Sequence, residues 1–409
     1  MPRVEIPETS VESVGAGLEL LKPNHRRRVL RDPRLVPRAK STRLPLWLVG
    51  LFSFRSSART SGRFEEGEIR RLCSPTMRTR NSGLRDLVAD EAQLTRHGLP
   101  LWRTENDVAE ALGIPLKQLG FFAIHREAAL HSHYVSFTIP KRTGQPRIIV
   151  APKRKLKQLQ RRLLDLLIRK LPVSEHAHGF QRGRSVVTSA APHVGRAVVL
   201  SLDLKDFFPS VTFARVRGLL IALGYGYRVA TTLAVLTTEA EREPSTIKET
   251  TYLVATCQRY CVQGAPTSPG LCNAITLRLD RRLAGLAVKL GYSYTRYADD
   301  LSFSGDDPGC LPALKRLATR IIEEEGFRLN EAKTRIMRRG RRQSVVGVTV
   351  NDVAGLSRQE RRRLRAMIHQ NDEASSNPAV LARIRGKLAF LAMLNPRQAA
   401  SMRRKRNRS

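Results

Sequence analysis

The sequence predicts an α+β fold, with a few short strands carrying carboxylates among amphipathic helices. Two stretches point to the strands. Ala197-Val-Val-Leu-Ser-Leu-Asp203 is an apolar run of strand type that ends in an acid, with Pro209-Ser210 marking a helix start soon after. Tyr294-Thr-Arg-Tyr-Ala-Asp299-Asp300-Leu-Ser-Phe303 alternates aromatic and polar residues around an acidic dipeptide, which suggests a β-hairpin with two carboxylates at its tip. The helices show in stretches such as Leu156, Leu159, Leu163, Leu164 and Leu167, spaced to share one face.

Adjacent carboxylates repel unless a cation sits between them. An isolated Asp-Asp is more often a solvated turn. A third acid, Asp203, changes the odds. Asp203, Asp299 and Asp300 together make a metal site of hard oxygen ligands, suited to Mg²⁺, with Mn²⁺ as a substitute. Such a site can hold two cations about 3.5–4 Å apart for in-line displacement at phosphorus.

Composition bounds the partners. Of 409 residues, 72 are Lys or Arg and 36 are Asp or Glu, a net charge of +36 that points to a polyanion. No apolar run approaches the roughly 20 residues that span a bilayer. Leu44 to Phe54 is interrupted by Pro45 and Gly50 and lacks a signal-peptide cleavage site. The expectation is a cytoplasmic protein without a membrane partner. Five cysteines give no even disulfide framework, and Cys257 and Cys261 are expected to be reduced core residues.

Tyr297-Ala298-Asp299-Asp300 resembles the signature of reverse transcriptases. Gln263-Gly-Ala-Pro-Thr-Ser-Pro269 resembles their glutamine-glycine loop, in the form used by bacterial retron enzymes. The likeness runs from about Tyr134 to Leu394. It implies a right-hand polymerase with fingers, palm and a short helical thumb, after a helical N-terminal region. The expected divisions are a basic extension over 1–80, helices over 81–130, fingers and palm over 131–352, a thumb over 353–400 and a basic tail over 401–409.

Taken in order, the first 80 residues are crowded with arginine and broken by Pro23, Pro33, Pro37 and Pro45, the composition of an unordered segment. An RNA-holding arm and an over-extended start, with Met77 nearer the true beginning, remain open. Leu84, Leu87, Val88, Glu91 and Leu94 share a helical face that stops at Gly98. Thr104 caps a second helix, with Asp107 three positions on, and Ile114-Pro115 starts another turn. Tyr134–Pro140 and Arg147–Val150 form a hairpin across a Lys141–Gln145 turn. The resemblance implies that Lys141 and Arg147 lie along a nucleoside triphosphate. Lys153 to Lys170 is a basic amphipathic helix.

In His178-Gly-Phe-Gln-Arg182-Gly-Arg184-Ser185, glycines beside two arginines allow close approach to a template strand. The resemblance gives Arg182 and Arg184 that role. Ser189-Ala190-Ala-Pro-His193 is similar to a retron element, normally Asn-Ala-x-x-His, with Ser189 in place of Asn. His193 joins the template contacts on that match. Five places after Asp203, Phe208 occupies the family's sugar-side position, where an aromatic excludes a 2′-hydroxyl and selects dNTPs. Asp206 is expected to give polar support.

Ser210 to Gly224 is a capped helix. Glu239 to Lys248 is an exposed loop. Gln263 and Gly264, by resemblance, line the nucleotide pocket before a helix from Leu271 to Leu290. Leu311 to Gly326 is amphipathic. Lys333 falls in the family's next motif, near nucleic acid and the leaving pyrophosphate. Gln343 to Asn351 is a strand pair closing the palm, with Val345-Val346-Gly347 where retron enzymes tend to have Val-Thr-Gly. Ser357 caps a basic helix, and a second helix runs from Pro378 to Leu394. An RNase H, endonuclease or integrase domain is not expected.

The resemblance implies RNA-directed DNA polymerase activity. Its partners would be a structured non-coding RNA serving as template and primer, its DNA product, dNTPs and an effector protein in antiphage defence. The product would be RNA-linked multicopy single-stranded DNA primed from an RNA 2′-hydroxyl. A group II intron-like or abortive-infection enzyme, or a non-catalytic RNA-binding scaffold, are the alternatives.

Overall fold

The computed structural model describes residues 87–124, 128–140, 146–247, 249–370 and 377–406. All belong to one compact unit, Arg59–Ser409. The basic extension and Lys141 lie outside the described residues.

Three short helices come first: α1 (Glu91–Arg96), α2 (Glu105–Ala111) and α3 (Leu116–Ala123). Helix α1 begins at Glu91, part-way along the Leu84–Leu94 periodicity, because Asp90 accepts from the Gln93 amide and caps it there. Thr104 and Asp107 form a capping box on α2. Leu94, Val108, Leu112 and Leu119 pack into the main core.

Strand β1 (Ala128–Ala129) is followed by the hairpin β2 (Tyr134–Pro140) and β3 (Pro146–Pro152), then by α4 (Arg154–Leu166) and α5 (Val186–Ala190). Next come β4 (Val198–Lys205), α6 (Phe213–Ala222) and α7 (Tyr227–Thr237). The cap of α6 is Thr212 rather than Ser210, since the Thr212 hydroxyl reaches the Arg215 amide. The expected Glu239–Lys248 loop is instead largely strand: β5 (Arg242–Ile247) pairs with β6 (Thr250–Ala255), which pairs with β1. Glu239 is buried there between Arg242 and Arg259. Cys261 is buried, but Cys257 is exposed and not a core residue.

The helix expected over Leu271–Leu290 divides into α8 (Ser268–Ile275) and α9 (Leu277–Lys289). At the break, the Thr276 hydroxyl bonds back to the carbonyls of Cys272 and Asn273. Then follow β7 (Ser293–Tyr297), β8 (Asp300–Gly305), α10 (Leu311–Glu324), β9 (Arg328–Leu329) and β10 (Arg335–Arg338). The chain continues through β11 (Ser344–Val345), β12 (Val348–Thr349), α11 (Arg358–His369), α12 (Pro378–Leu394) and α13 (Pro396–Arg406).

The central sheet is antiparallel in the order β10-β4-β8-β7, with β9 pairing the end of β4. Period-two alternation gives it two faces. Leu200, Leu202, Leu204, Leu301 and Phe303 fill one face and join Leu283, Leu314 and Ala318 of α9 and α10 in the main core. The other face carries Val199 and Asp203. Val199 and Ala190 enter a second core with Val345, Val348, Leu364, Leu388 and Leu391. The β11–β12 pair therefore packs with the C-terminal helices, as a separate two-stranded sheet, rather than extending the palm. Helix α13 runs into the stretch expected as a basic tail over 401–409, and Ala399 and Met402 are buried in the second core. Among the described residues, no helix is long and apolar enough to cross a membrane.

Candidate active site

The β4–β8 register sets the site. Asp203 stands directly opposite Asp300, and the Leu204 amide donates to the Asp299 carbonyl at 3.0 Å. Between Tyr297 and Asp300 the chain turns in two residues, with Ala298 in the left-handed region at φ 57°. All three acids thus sit at one end of the central sheet. Burial pushes the Asp300 carboxyl up to about 6, and the charges of Asp299 and Asp203 add to the rise. Burial also raises Asp299, with Asp203 contributing. Such mutual destabilisation is what a cation relieves.

Lys333 Nζ donates to Asp203 Oδ1 at 2.7 Å. This hydrogen bond raises the lysine above its ordinary value. Lys333, expected near nucleic acid and the leaving pyrophosphate, is directed into the acidic cluster. Among the described residues, no group of three or more His, Cys, Asp or Glu side chains is gathered tightly enough to hold an ion. The donor set itself fits hard divalent ions, being all carboxylate oxygen. Asp206, at φ 50°, lies 3.3 Å from Arg328 and not with the three acids.

The β2–β3 hairpin approaches from the side. Arg147 Nε donates to Gln263 Oε1 at 2.9 Å. The Gly264 amide donates to the Val150 carbonyl at 3.0 Å, so the loop lies against β3. A Cβ on Gly264 would sit 2.5 Å from that carbonyl oxygen, which is why a glycine is needed. Arg147, Gln263 and Gly264 are thus brought together. Phe208 is partly buried, with the Phe207 ring edge-on at 5.6 Å.

The segment before α5 flanks β7 through a bridge between Ala177 and Arg296. Arg182 and Arg184 are both exposed on a turn where Gly183 adopts φ 76°. His193 is placed elsewhere. It is fully buried, with Nδ1 2.7 Å from Ser304 Oγ and Nε2 2.8 Å from Thr295 Oγ1. It clamps β7 to β8 and cannot touch a template, which corrects its grouping with Arg182 and Arg184. Ser189, the other notable residue of that element, also approaches Thr295 Oγ1, at 3.2 Å.

Sequence reasoning missed the node behind the acidic turn. Arg296 is fully buried and bidentate to Asp280, with Nε and Nη2 each 2.8 Å from a carboxylate oxygen. Its Nη1 donates to Asn273 Oδ1 at 2.9 Å and to the Ala298 carbonyl at 3.1 Å. Tyr294 also donates to Asp280, and Asn273 Nδ2 donates to the Gly179 carbonyl. One buried ion pair therefore ties together α8, α9, the Gly179 segment and the turn that holds Asp299. The signal was present: period two puts Arg296 on the core face beside Tyr294, and a buried charge requires a partner.

Residues 139–361 match the family model described as reverse transcriptase (RNA-dependent DNA polymerase). The chain is 57% identical over 389 residues to the retron Mx65 reverse transcriptase of Myxococcus xanthus, covering 94% of this chain and 87% of that one. It is 42% identical to the retron Mx162 reverse transcriptase of the same organism, over 76% of this chain and 68% of that one. To the retron Ec86 reverse transcriptase of Escherichia coli the identity is 30%, over 73% of this chain and 87% of that one.

Proposed function

The chain belongs to the reverse transcriptase family, on its retron branch, and from that premise we propose that it copies part of a dedicated structured non-coding RNA into RNA-linked multicopy single-stranded DNA by two-metal nucleotidyl transfer. The right-hand fold and RNA-directed DNA polymerase activity come with the family. The observation that carries the two-metal reading is the meeting of Asp203, Asp299 and Asp300 at one end of the sheet, where burial and mutual charge raise Asp299 and Asp300, while the retron product rests on the likeness to retron enzymes.

Asp203, Asp299 and Asp300 are the residues that would hold two divalent ions, Mg²⁺ first and Mn²⁺ as a substitute. When bound, such ions supply activation of the attacking hydroxyl and neutralisation of the triphosphate. The chain's own residues orient the nucleotide. Arg147, with Lys141 beyond the described residues, takes the triphosphate. Gln263 and Gly264 shape the pocket, and Phe208 lies under the sugar and rejects a 2′-hydroxyl. Lys333, hydrogen-bonded to Asp203, would meet the leaving pyrophosphate. Arg182 and Arg184 hold template phosphates. The primer is an RNA 2′-hydroxyl. The product acts with an effector protein in antiphage defence, inside the cytoplasm.

The test is to express the chain with its flanking DNA in bacteria and sequence the small nucleic acid that co-purifies. The expected result is a branched RNA–DNA species that disappears in Asp299→Ala. Activity on added RNA and primer without such a species would remove the retron product and leave the polymerase. Full incorporation by Asp299→Ala would remove the assignment of the carboxylates.

A further inference from the structure

Phe180 combines three features that an ordinary turn residue does not. Its backbone lies in the left-handed region at φ 62°, which is costly for any residue with a Cβ and most of all for a bulky one. The residue is 52% exposed, so burial does not compensate that cost. The ring nevertheless has a partner, Phe208, at 6.3 Å between centroids and 60° between planes.

The backbone on its N-terminal side is fixed. The Gly179 carbonyl accepts from Asn273, and a Cβ at Gly179 would lie 2.6 Å from the Ala298 nitrogen. The His178 amide donates to the Arg296 carbonyl at 2.7 Å. The strained conformation is therefore imposed by the same node that holds the acidic turn. Backbone strain that the surroundings over-determine is characteristic of functional sites.

Phe208 needs such a neighbour. From within, it is braced by Phe207, which stacks at 6.0 Å on Phe327, itself covered by the Arg215 guanidinium at 4.3 Å. That row is anchored in the core at Phe207 and Phe327. Its outer end is Phe180, from a segment two strands away. The two rings approach each other across the sheet end that carries the carboxylates.

We propose that Phe180 is a specificity-determining positioning residue, which braces the Phe208 ring from its solvent side and so sets how strictly ribonucleotides are rejected. This rests on the reading of Phe208 as the wall under the sugar. A wall that can rotate away admits the extra hydroxyl, so the brace acts on discrimination more than on rate.

The experiment measures kcat/KM for single dNTP and rNTP additions on an RNA template with an annealed primer. It compares the wild type with Phe180→Ala, Phe180→Leu, Phe180→Tyr and Phe208→Ala. Phe180→Ala should lower the dNTP-to-rNTP ratio about tenfold, mainly through better use of rNTP. Phe180→Leu should fall between, and Phe180→Tyr should keep the ratio. An unchanged ratio in Phe180→Ala, with the ratio lowered in Phe208→Ala, overturns the brace and leaves the wall. An unchanged ratio in both removes the wall and the brace together. An equal loss for both nucleotides in Phe180→Ala and Phe180→Leu assigns the ring to template binding or folding, and also overturns the proposal.

Discussion

Both nitrogens of His193 are engaged by hydroxyls, and the ring has no access to water. Burial depresses its value to about 4, with His178 and Arg196 adding positive charge nearby. The unfolded chain therefore takes up a proton between pH 6.5 and 4 that the folded chain refuses. Stability from this site is complete above about pH 6.5 and is lost as pH falls to about 4, an effect on the order of 3 kcal/mol. His178 titrates in the same window, also held down to about 4 by burial. The comparison with His193→Gln isolates the buried ring. Thermal unfolding from pH 7 to 4.5 should show a shallower acid decline in His193→Gln than in the wild type. Equal slopes would mean that His193 does not carry this proton linkage. The residue scale also shows what the sequence could disclose. The three acids stood out because alternation and spacing put them on strand ends. The role of His193 did not, since Thr295 and Ser304 become its partners only through the β7–β8 register.

At the scale of elements, the hairpin β2–β3 and the Gln263 loop meet at a single tight point. The strands were legible from alternation and the loop from its glycine and prolines. Their contact was not, because it joins residues more than 110 positions apart. Glu239–Lys248 misled for the opposite reason: its polar residues resemble a loop, yet β6 supplies a ladder for Arg242–Ile247 and two arginines satisfy Glu239. Gly264→Ala tests the meeting point. The new methyl would have to push β3 away, since the Val150 carbonyl and Ala151 lie within 3 Å of its position. Arg147 and Gln263 would then separate. KM for dNTP should rise about tenfold or more, and the melting temperature should fall as well, because the methyl meets backbone rather than a side chain that can swing away. A normal KM would show that the hairpin does not depend on this contact.

For the whole molecule, net charge decides how it meets RNA. The sequence carries an excess of 36 positive charges, and in the described helices the apolar faces are already used in the two cores, so the basic faces are left for solvent or phosphate. Helix α11 shows the division. Leu364 and Ile368 are buried, while Arg362, Arg363 and Arg365 are exposed. Each phosphate neutralised by such a side chain releases condensed counterions, so the logarithm of the affinity falls linearly with log salt, with a slope of about −0.7 to −0.9 per contact. Binding to a structured RNA should therefore weaken by about a thousandfold or more between 50 and 200 mM salt, if six or more phosphates are held. Replacing Arg362 and Arg365 by glutamine removes two exposed charges without touching the buried face of α11. The slope should become shallower by about 1.5 if both contact phosphate, while the melting temperature stays within a few degrees of the wild type. A slope identical to the wild type would place the RNA on another surface and leave the charge of α11 to solubility. Competition with unstructured RNA of equal length would then separate electrostatic grip from recognition of shape, because only the second survives at high salt.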